Sequence, residues 1–273
     1  MRTLLLPLAL LASVLAAPTA AAQPAVEEPL DAILGAVVQS DGLVDYDLLK
    51  RSYTDELEAV LKAIAATDAR SLTSDAKKTA FLLNAYNAHV LKRVVDSPRA
   101  RNLERQGLFD AFFETPVRVA GQRMTLNQLE HGVLRRQNTV DGAAVPSAAR
   151  ALRPGRLDAR IHAGLNCAAV SCPPLVREAF TAARVRGQLD RAWTAFLRSP
   201  RAVRVSGDRV VLSSIFDWFA DDFETGGKTV GDVVLAGRSA PALRRALGGQ
   251  SAAALRRAGD VQFAYDWTVN RAR

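Results

Sequence analysis

The chain has 273 residues, of which 49% are hydrophobic and 23% are charged, and this composition excludes an intrinsically disordered protein. The 17 glycines and 12 prolines exclude a collagen-like or low-complexity chain. The formal net charge is +8, from 36 basic and 28 acidic residues, and the basic residues are scattered along the chain. Because nucleic-acid binding requires basic residues clustered on one face, the sequence predicts no nucleic-acid partner. A solvated basic surface is the favoured interpretation, and a weak attraction to anionic envelope polymers or lipids is the alternative.

Residues 1–23 are predicted to be a cleavable signal peptide. Arg2 precedes a short apolar run from Leu4 to Ala12, and small residues follow up to Gln23, which is the layout of a secretory signal. We therefore expect a periplasmic or secreted protein whose mature chain begins near Gln23 or Pro24. No second long apolar run follows, so the sequence predicts no transmembrane segment in the mature chain.

Three helices are predicted in the first part of the mature chain from apolar positions at helical spacing. They cover Leu30 to Val38, Leu43 to about Ala66, and Lys77 to Val95, with Thr73 or Ser74 as the expected N-cap of the third. The third is apolar nearly all round in its middle, which is typical of a helix buried inside a domain. Asn84 and Asn87 are three residues apart in this helix, so both amides are expected on one of its faces.

The rest of the chain predicts shorter elements. A hairpin is predicted over 116–124, followed by a helix that begins at a Thr125–Gln128 capping box and ends near Arg136. A loop over 138–157, a strand over 159–166 and a helix over 188–198 come next. The chain continues with a hairpin over 203–212, a helix over 215–223, three helical stretches up to Ala258 and a closing strand over 261–265. The order predicts an α+β fold, a mostly helical single domain with short β-hairpins and a small antiparallel sheet. This domain is expected to span residues 24–273, with core motifs over about 43–223 and the last helices and strand over 224–273.

The segment from Ile161 to Pro174 holds both cysteines, Cys167 and Cys172, together with His162. An exported protein with two nearby cysteines favours a structural disulfide, which in so small a loop contributes roughly 2 kcal/mol. A dithiol redox centre is a variant of this hypothesis, although the Cys-x-x-x-x-Cys spacing departs from the usual Cys-x-x-Cys.

A second interpretation makes Cys167 a nucleophile. A cysteine that leaves a strand into a tight turn meets backbone N–H groups, which lower the pKa of its thiol. His131 or His162 is a candidate base, and a carboxylate or amide would orient that base. The candidates for this orienting group are Asp266, Glu130 and Asn87. Metal binding is a third interpretation, but the spacings match none of the usual zinc patterns, so no metal site is predicted.

Six segments, in this order along the chain, resemble motifs of the domain of unknown function 547 family. They are Val44-Asp45-Tyr46, residues 81–88, residues 126–135, Arg160-Ile161-His162 through Cys172-Pro173-Pro174-Leu175, residues 212–219, and Tyr265-Asp266-Trp267. In plant relatives the first cysteine of the fourth motif is kept and serine replaces the second, which implies an individual role for Cys167. Some eukaryotic relatives carry a glutaredoxin-like domain, an association with thiol chemistry.

Together with the resemblance, these residues predict a site in which Cys167 is the nucleophile, His131 or His162 the base, and Asp266 or Glu130 the orienting group. Asn84, Tyr86, Asn87 and Asn166 are predicted to bind substrate. We expect a cysteine-dependent hydrolase or acyl transferase that acts on amide or peptide bonds of the cell envelope without a cofactor, its substrate or protein partner being unknown. The alternatives are a non-catalytic periplasmic binding or scaffold module stapled by Cys167–Cys172, and a thiol–disulfide redox protein.

Overall fold

The structure, a computed structural model, describes residues 26–207, 209–238 and 240–272. The signal peptide predicted at residues 1–23 lies outside these ranges. The α-helices are α1 Glu27–Val37, α2 Tyr46–Ser52, α3 Thr54–Ala66, α4 Asp75–Asp96, α5 Ser147–Arg150, α6 Ile161–Gly164, α7 Val185–Arg198, α8 Ile215–Trp218, α9 Ala220–Phe223, α10 Val230–Gly237, α11 Pro241–Leu247 and α12 Ala252–Arg257. None of the helices in these ranges has the length and apolar character that a membrane span requires.

The strands are short: β1 Val117–Val119, β2 Gln122–Met124, β3 Thr139–Val140, β4 Ala143–Ala144, β5 Val203–Ser206, β6 Arg209–Ser213 and β7 Val261–Ala264. β1 and β2 form one antiparallel hairpin, and β3 and β4 form another. β5 and β6 form a third antiparallel pair, to which β7 adds in parallel to β6. The predicted α+β class with short hairpins and small sheets is confirmed, and the parallel pairing of the closing strand is an addition to it.

The first hydrophobic core surrounds α4. Ser74 caps this helix by accepting a hydrogen bond from the Lys77 N–H, as its position in the sequence suggests. Every residue from Ala80 to Leu91 is buried, which agrees with an apolar surface on all sides. α1, α2, α3 and α7 all contact α4, so the helix is enclosed.

A second core lies between α7 and the three-stranded sheet. Its centre is a group of aromatic side chains, in which Phe196 and Phe216 are stacked with centroids 5.7 Å apart and Trp193 stacks on Phe223 at 5.5 Å. The short helix α6 sits between the two cores. A Cβ on its Gly164 would come within 2.9 Å of Leu189 and 3.2 Å of Leu83, so α6 packs tightly against both α7 and α4.

Two of the predicted elements differ in the structure. The helix expected from Leu43 to Ala66 is divided at Tyr53, whose φ of −135° lies outside the helical region and separates α2 from α3. The strand predicted over 159–166 is wrong, because residues 161–164 form α6 instead. All four residues of α6 are buried, so its sequence has no alternation of buried and exposed positions that distinguishes a strand from a helix.

Two further segments have more structure, or a different helix type, than expected. The predicted loop over 138–157 contains the β3–β4 hairpin and α5. The helix that begins after the capping box is π-helical over Gln128–Leu134. The capping box itself is present, since the Thr125 hydroxyl accepts from the Gln128 N–H at 3.0 Å and the Gln128 side chain accepts from the Thr125 N–H at 3.1 Å.

Replacement of two helical glycines by alanine is expected to have opposite effects on the stability of the fold. A Cβ at Gly231 would lie 1.7 Å from the backbone oxygen of Leu247, so Gly231→Ala should displace α10 from α11 and lower the stability by about 1–3 kcal/mol. At Gly187, in the first turn of α7, the nearest atom to such a Cβ is an Arg191 guanidinium nitrogen at 3.6 Å. Gly187→Ala is the matched control and should stabilise by about 1 kcal/mol, because alanine favours the helix. Thermal unfolding of both variants measures this, and equal shifts of the same sign would contradict it.

Candidate functional site

A cavity of about 450 Å³ lies between the two cores. Of the predicted site residues, Tyr86, Glu130, His131, His162, Cys167 and Cys172 all line it. These side chains come from α4, the π-helical turn, α6 and the cysteine segment, so the fold brings together residues that are up to 86 positions apart in the chain. Aromatic side chains form much of the remaining wall.

Cys167 and Cys172 form a disulfide at this cavity, with their Cα atoms 6.4 Å apart. The two sulfurs differ in exposure. Cys172 is 1% exposed and Cys167 is only partly buried. The Cys167 N–H donates to the Sγ atom of Cys172 at 3.0 Å, and the Tyr265 hydroxyl lies 3.1 Å from both sulfurs. Two hydrogen-bond donors therefore converge on the inner sulfur.

Buried amides hold the cysteine segment in place. The Asn87 side chain donates to the carbonyl oxygen of Gly164 at 2.9 Å and accepts from the Asn166 N–H at 2.9 Å. The Asn166 side chain donates to the carbonyl of Pro173 at 2.9 Å and accepts from the Ala168 N–H at 3.0 Å. These amides fix the backbone on both sides of the disulfide, so the structure places Asn87 and Asn166 behind the site and not among the residues that line the cavity.

The carboxy-terminal segment forms the other support of the cysteine segment. The N–H groups of Val170 and Ser171 donate to the carbonyls of Thr268 and Asp266, and Ala169 pairs with Val269 as an isolated antiparallel bridge. Ala168 has a φ of +64°, a conformation that costs a non-glycine residue about 1–3 kcal/mol. The paired segments on either side hold this strained turn.

Asn84 and Asp266 lie away from the cavity. Asn84 is buried and makes two hydrogen bonds with the backbone of Phe180, donating to its carbonyl at 2.8 Å and accepting from its N–H at 2.9 Å. Asp266 is exposed, and its carboxylate accepts from the Thr268 N–H at 2.9 Å in a local turn. The structure therefore brings neither residue to the cysteine, and Asp266 does not orient a histidine.

The carboxylate that does orient a histidine is Asp222, on α9. Its Oδ2 atom lies 2.7 Å from Nε2 of His162, and its two oxygens accept from the Arg135 guanidinium at 2.5 and 3.1 Å. Burial raises the pKa of Asp222, but its hydrogen bonds with His162 and Arg135 and their charges outweigh burial and lower the pKa below its usual value. His162 also stacks on Phe219 with centroids 4.1 Å apart. The imidazole is thus fixed in both position and tautomer.

The two imidazoles of the site are held in different ways. Arg135 donates to Nδ1 of His131 at 3.0 Å, and since guanidinium only donates, Nδ1 carries the lone pair. In His162 the carboxylate of Asp222 accepts from Nε2, which leaves Nδ1 without a hydrogen-bond partner among the described residues. Neither imidazole hydrogen-bonds to Cys167 within the described part of the chain, where the Tyr265 hydroxyl contacts the sulfur instead.

Glu130 and two tyrosines form an electrostatic group beside the disulfide. Burial raises the pKa of Tyr86 well above its usual value, and the charge of Glu130 and a hydrogen bond with Glu130 raise it further. Burial also raises the pKa of the Tyr265 hydroxyl, and the charge of Glu130 adds to this effect. Both phenols therefore keep their protons at neutral pH and act as hydrogen-bond donors.

Sequence reasoning missed Asp222, Arg135 and the role of Tyr265. Asp222 is the polar residue three positions after Phe219 and one before Phe223, so it lies on the apolar face of its helical segment, which is a signal that was present in the sequence. Nothing in the sequence indicated its partner, because Arg135 is 87 positions away. Within the described ranges, no group of three or more His, Cys, Asp or Glu side chains is arranged to hold a metal ion.

Residues 70–197 match the family model described as protein of unknown function, DUF547. The match contains α4, both cysteines, Glu130, His131 and His162, while Asp222 and Tyr265 lie beyond its end. No curated protein and no solved structure matched the chain.

We expect Asp222→Asn to lower the melting temperature at pH 7. Arg135, whose side chain is only 9% exposed, loses its charged partner, and breaking a buried ion pair costs about 3–5 kcal/mol. Because the folded-state pKa of Asp222 is lowered, its contribution is complete above the unfolded value of about 4 and is lost as the pH falls through the folded value. Circular dichroism melts between pH 2 and 8 should show the difference from the unmodified protein narrowing below pH ~4.

The matched control is Asp221→Asn, since Asp221 is the exposed neighbour of Asp222. This variant should have the same melting temperature as the unmodified protein across the pH range. A deficit in Asp222→Asn that is equally large at pH 2 and pH 7 would show that the effect is steric and not due to charge.

Proposed function

We propose that this DUF547 domain-containing protein carries out thiol–disulfide exchange through Cys167 and Cys172. The observation that supports this function most directly is the unequal exposure of the two sulfurs beside a cavity. Both cysteines line the cavity, but Cys172 is 1% exposed and Cys167 is only partly buried. A purely structural disulfide would not require an open cavity beside its more exposed sulfur.

The exchange begins when a substrate thiolate attacks Sγ of Cys167. The Cys167–Cys172 bond breaks, Cys172 leaves as a thiolate, and a mixed disulfide links Cys167 to the substrate. A second thiol of the same substrate then attacks the mixed disulfide and releases Cys167. The substrate dithiol is oxidised to a disulfide, the two electrons reduce the protein disulfide, and the two substrate protons end on the cysteines.

The surroundings of Cys172 suit a leaving thiolate. The Cys167 N–H and the Tyr265 hydroxyl both contact its sulfur, at 3.0 and 3.1 Å. Hydrogen bonds to a charged acceptor are stronger than those to a neutral one, so both should strengthen as negative charge develops on this sulfur. On the cavity side, Glu130 is placed to accept the proton of an incoming thiol.

Single-cysteine variants test the assigned roles. In the reduced state, Cys172→Ser keeps the partly buried Cys167, and Cys167→Ser keeps Cys172, which is 1% exposed. We expect Cys167 to form a mixed disulfide with oxidised glutathione at least about tenfold faster than Cys172, because access of the reagent controls the reaction. Mass spectrometry of samples quenched with acid measures both rates.

Tyr265→Phe provides a second measurement on the native disulfide. Reduction by dithiothreitol should slow about fivefold, which corresponds to the loss of one hydrogen bond of about 1 kcal/mol to the leaving sulfur. The control is Tyr53→Phe, because Tyr53 does not line the cavity. Equal rates for the two single-cysteine variants, or a disulfide that resists dithiothreitol until the protein unfolds, would leave a scaffold module with a structural staple as the better description.

A cysteine-dependent hydrolase or acyl transferase stays as the second candidate, and the Asp222–His162 pair favours it. A carboxylate that fixes an imidazole in the same cavity as a cysteine has the arrangement of a base and its orienting group. This function requires Cys167 to be reduced, since only a thiolate attacks an amide carbonyl. His162→Gln separates the two functions, because it should abolish turnover of an acyl substrate by the reduced protein and leave exchange with dithiothreitol unchanged.

Export from the cytoplasm is part of the proposal. The apolar segment at residues 1–23 supports it, and so does a disulfide, which persists in oxidising compartments. Amino-terminal sequencing of protein recovered from the periplasm or medium should give a start near Gln23 or Pro24. Recovery of the uncleaved chain in the cytoplasm, with both thiols free, would contradict export.

A further inference from the structure

One wall of the cavity is a cluster of aromatic rings. Trp218 and Trp267 are stacked with centroids 5.7 Å apart, and Tyr265 contacts them at 4.8 and 4.5 Å. Phe109 packs edge-on against Trp267 at 4.6 Å. Trp218 is 46% exposed, which is unusual among the large apolar side chains of the described residues. This wall remains open to a ligand on its Trp218 side.

The charged side chains of the cavity leave an excess of negative charge. Glu114 and Glu130 line it, and neither forms an ion pair within the described part of the chain. Among the described residues that line the cavity, Arg135 is the only arginine or lysine. Both oxygens of Asp222 accept from its guanidinium and compensate its charge. In a chain with a net charge of +8, this cavity is therefore locally acidic.

The excess negative charge also affects the disulfide end of the cavity. After burial, the charge of Glu130 is the largest influence on the pKa of Tyr265 and raises it, while the opposing effect of Arg201 is smaller. Negative charge therefore dominates at the hydroxyl that contacts both sulfurs. A cation bound here would lie in a cavity that is lined by both a carboxylate and aromatic rings.

We propose that the cavity binds an organic cation, an ammonium or guanidinium group on an aliphatic stem such as a lysine or arginine side chain. The stem packs on Trp218 and Trp267, and the charged group is attracted by the ring faces and by Glu130. This inference rests on the proposed function, and it names the substrate class of the same site. A thiol substrate would carry its cationic side chain close to the reacting cysteine.

Titrations monitored by ¹⁵N NMR test this binding, since they measure weak affinities and locate the site. The probes are N-acetyl-lysinamide and N-acetyl-norleucinamide, which share the aliphatic stem and differ in the ammonium group. We expect the lysine probe to bind about tenfold more tightly than the norleucine probe, with shifts in the indole N–H signals of Trp218 and Trp267. Raising the salt concentration should weaken only the lysine probe.

Two pairs of variants separate the charge from the rings. Glu130→Gln should reduce the affinity for the lysine probe about fivefold and leave that for norleucine unchanged, whereas Glu56→Gln, on the exposed face of α3, should change neither. Trp218→Leu should weaken both probes, because their shared stem packs on this ring, and should weaken the lysine probe by the larger factor, whereas Trp218→Phe should retain most of the affinity for both. Melting curves check that all four variants fold.

Equal affinity for the two probes, or unaltered lysine binding in Glu130→Gln, would overturn the inference. All titrations use the oxidised protein without any thiol, so binding is measured apart from exchange. If dithiothreitol reduces the disulfide in the folded protein and the lysine probe shows no preference, only the cation site fails. If the lysine probe binds selectively and the disulfide cannot be reduced in the folded protein, only the exchange function fails.

Discussion

A chain of buried side-chain hydrogen bonds holds the segment that carries both cysteines. The Tyr46 hydroxyl donates to Asn270 at 2.7 Å, and Asn270 donates to Asn166 at 3.1 Å. Asn270 is completely buried, so loss of either bond would leave a polar group without a partner at a cost of about 1–3 kcal/mol. The beginning of the described chain, the cysteine segment and the carboxy-terminal segment are joined at this point. The geometry of the disulfide and of the cavity beside it depends on these amides.

The polar groups around the cavity fall into two kinds, and the difference decides what the cavity can do. Arg135, Asp222 and His162 are committed to one another in a buried network that orients the imidazole. Glu130 also lines the cavity, where it hydrogen-bonds with Tyr86 and forms no ion pair among the described residues. The committed groups give the site its shape, and the charge of Glu130 remains available to a substrate.

Sequence patterns predicted the elements that are marked by a long apolar run, a cap, a turn or a clear period. The long buried helix, its Ser74 cap, the hairpin at 117–124 and the last three helices all lie where local chemistry indicated. Prediction failed at residues 161–164, because a short segment buried on every side has neither the helical nor the strand period. It also failed at Tyr53, where a single residue leaves the helical conformation in a segment of otherwise helical spacing.

The candidate site shows the same limit. By itself the sequence selected the cysteine segment as the candidate site and named Glu130, His131 and His162 as its companions, because the chain has few cysteines and histidines. Only the tertiary structure decided that Asp222 orients His162, that Tyr265 contacts the sulfurs, and that Asn87 and Asn166 support the backbone. Those roles depend on distances between segments far apart in sequence, and one aspartate or asparagine resembles another until the fold places it beside a partner.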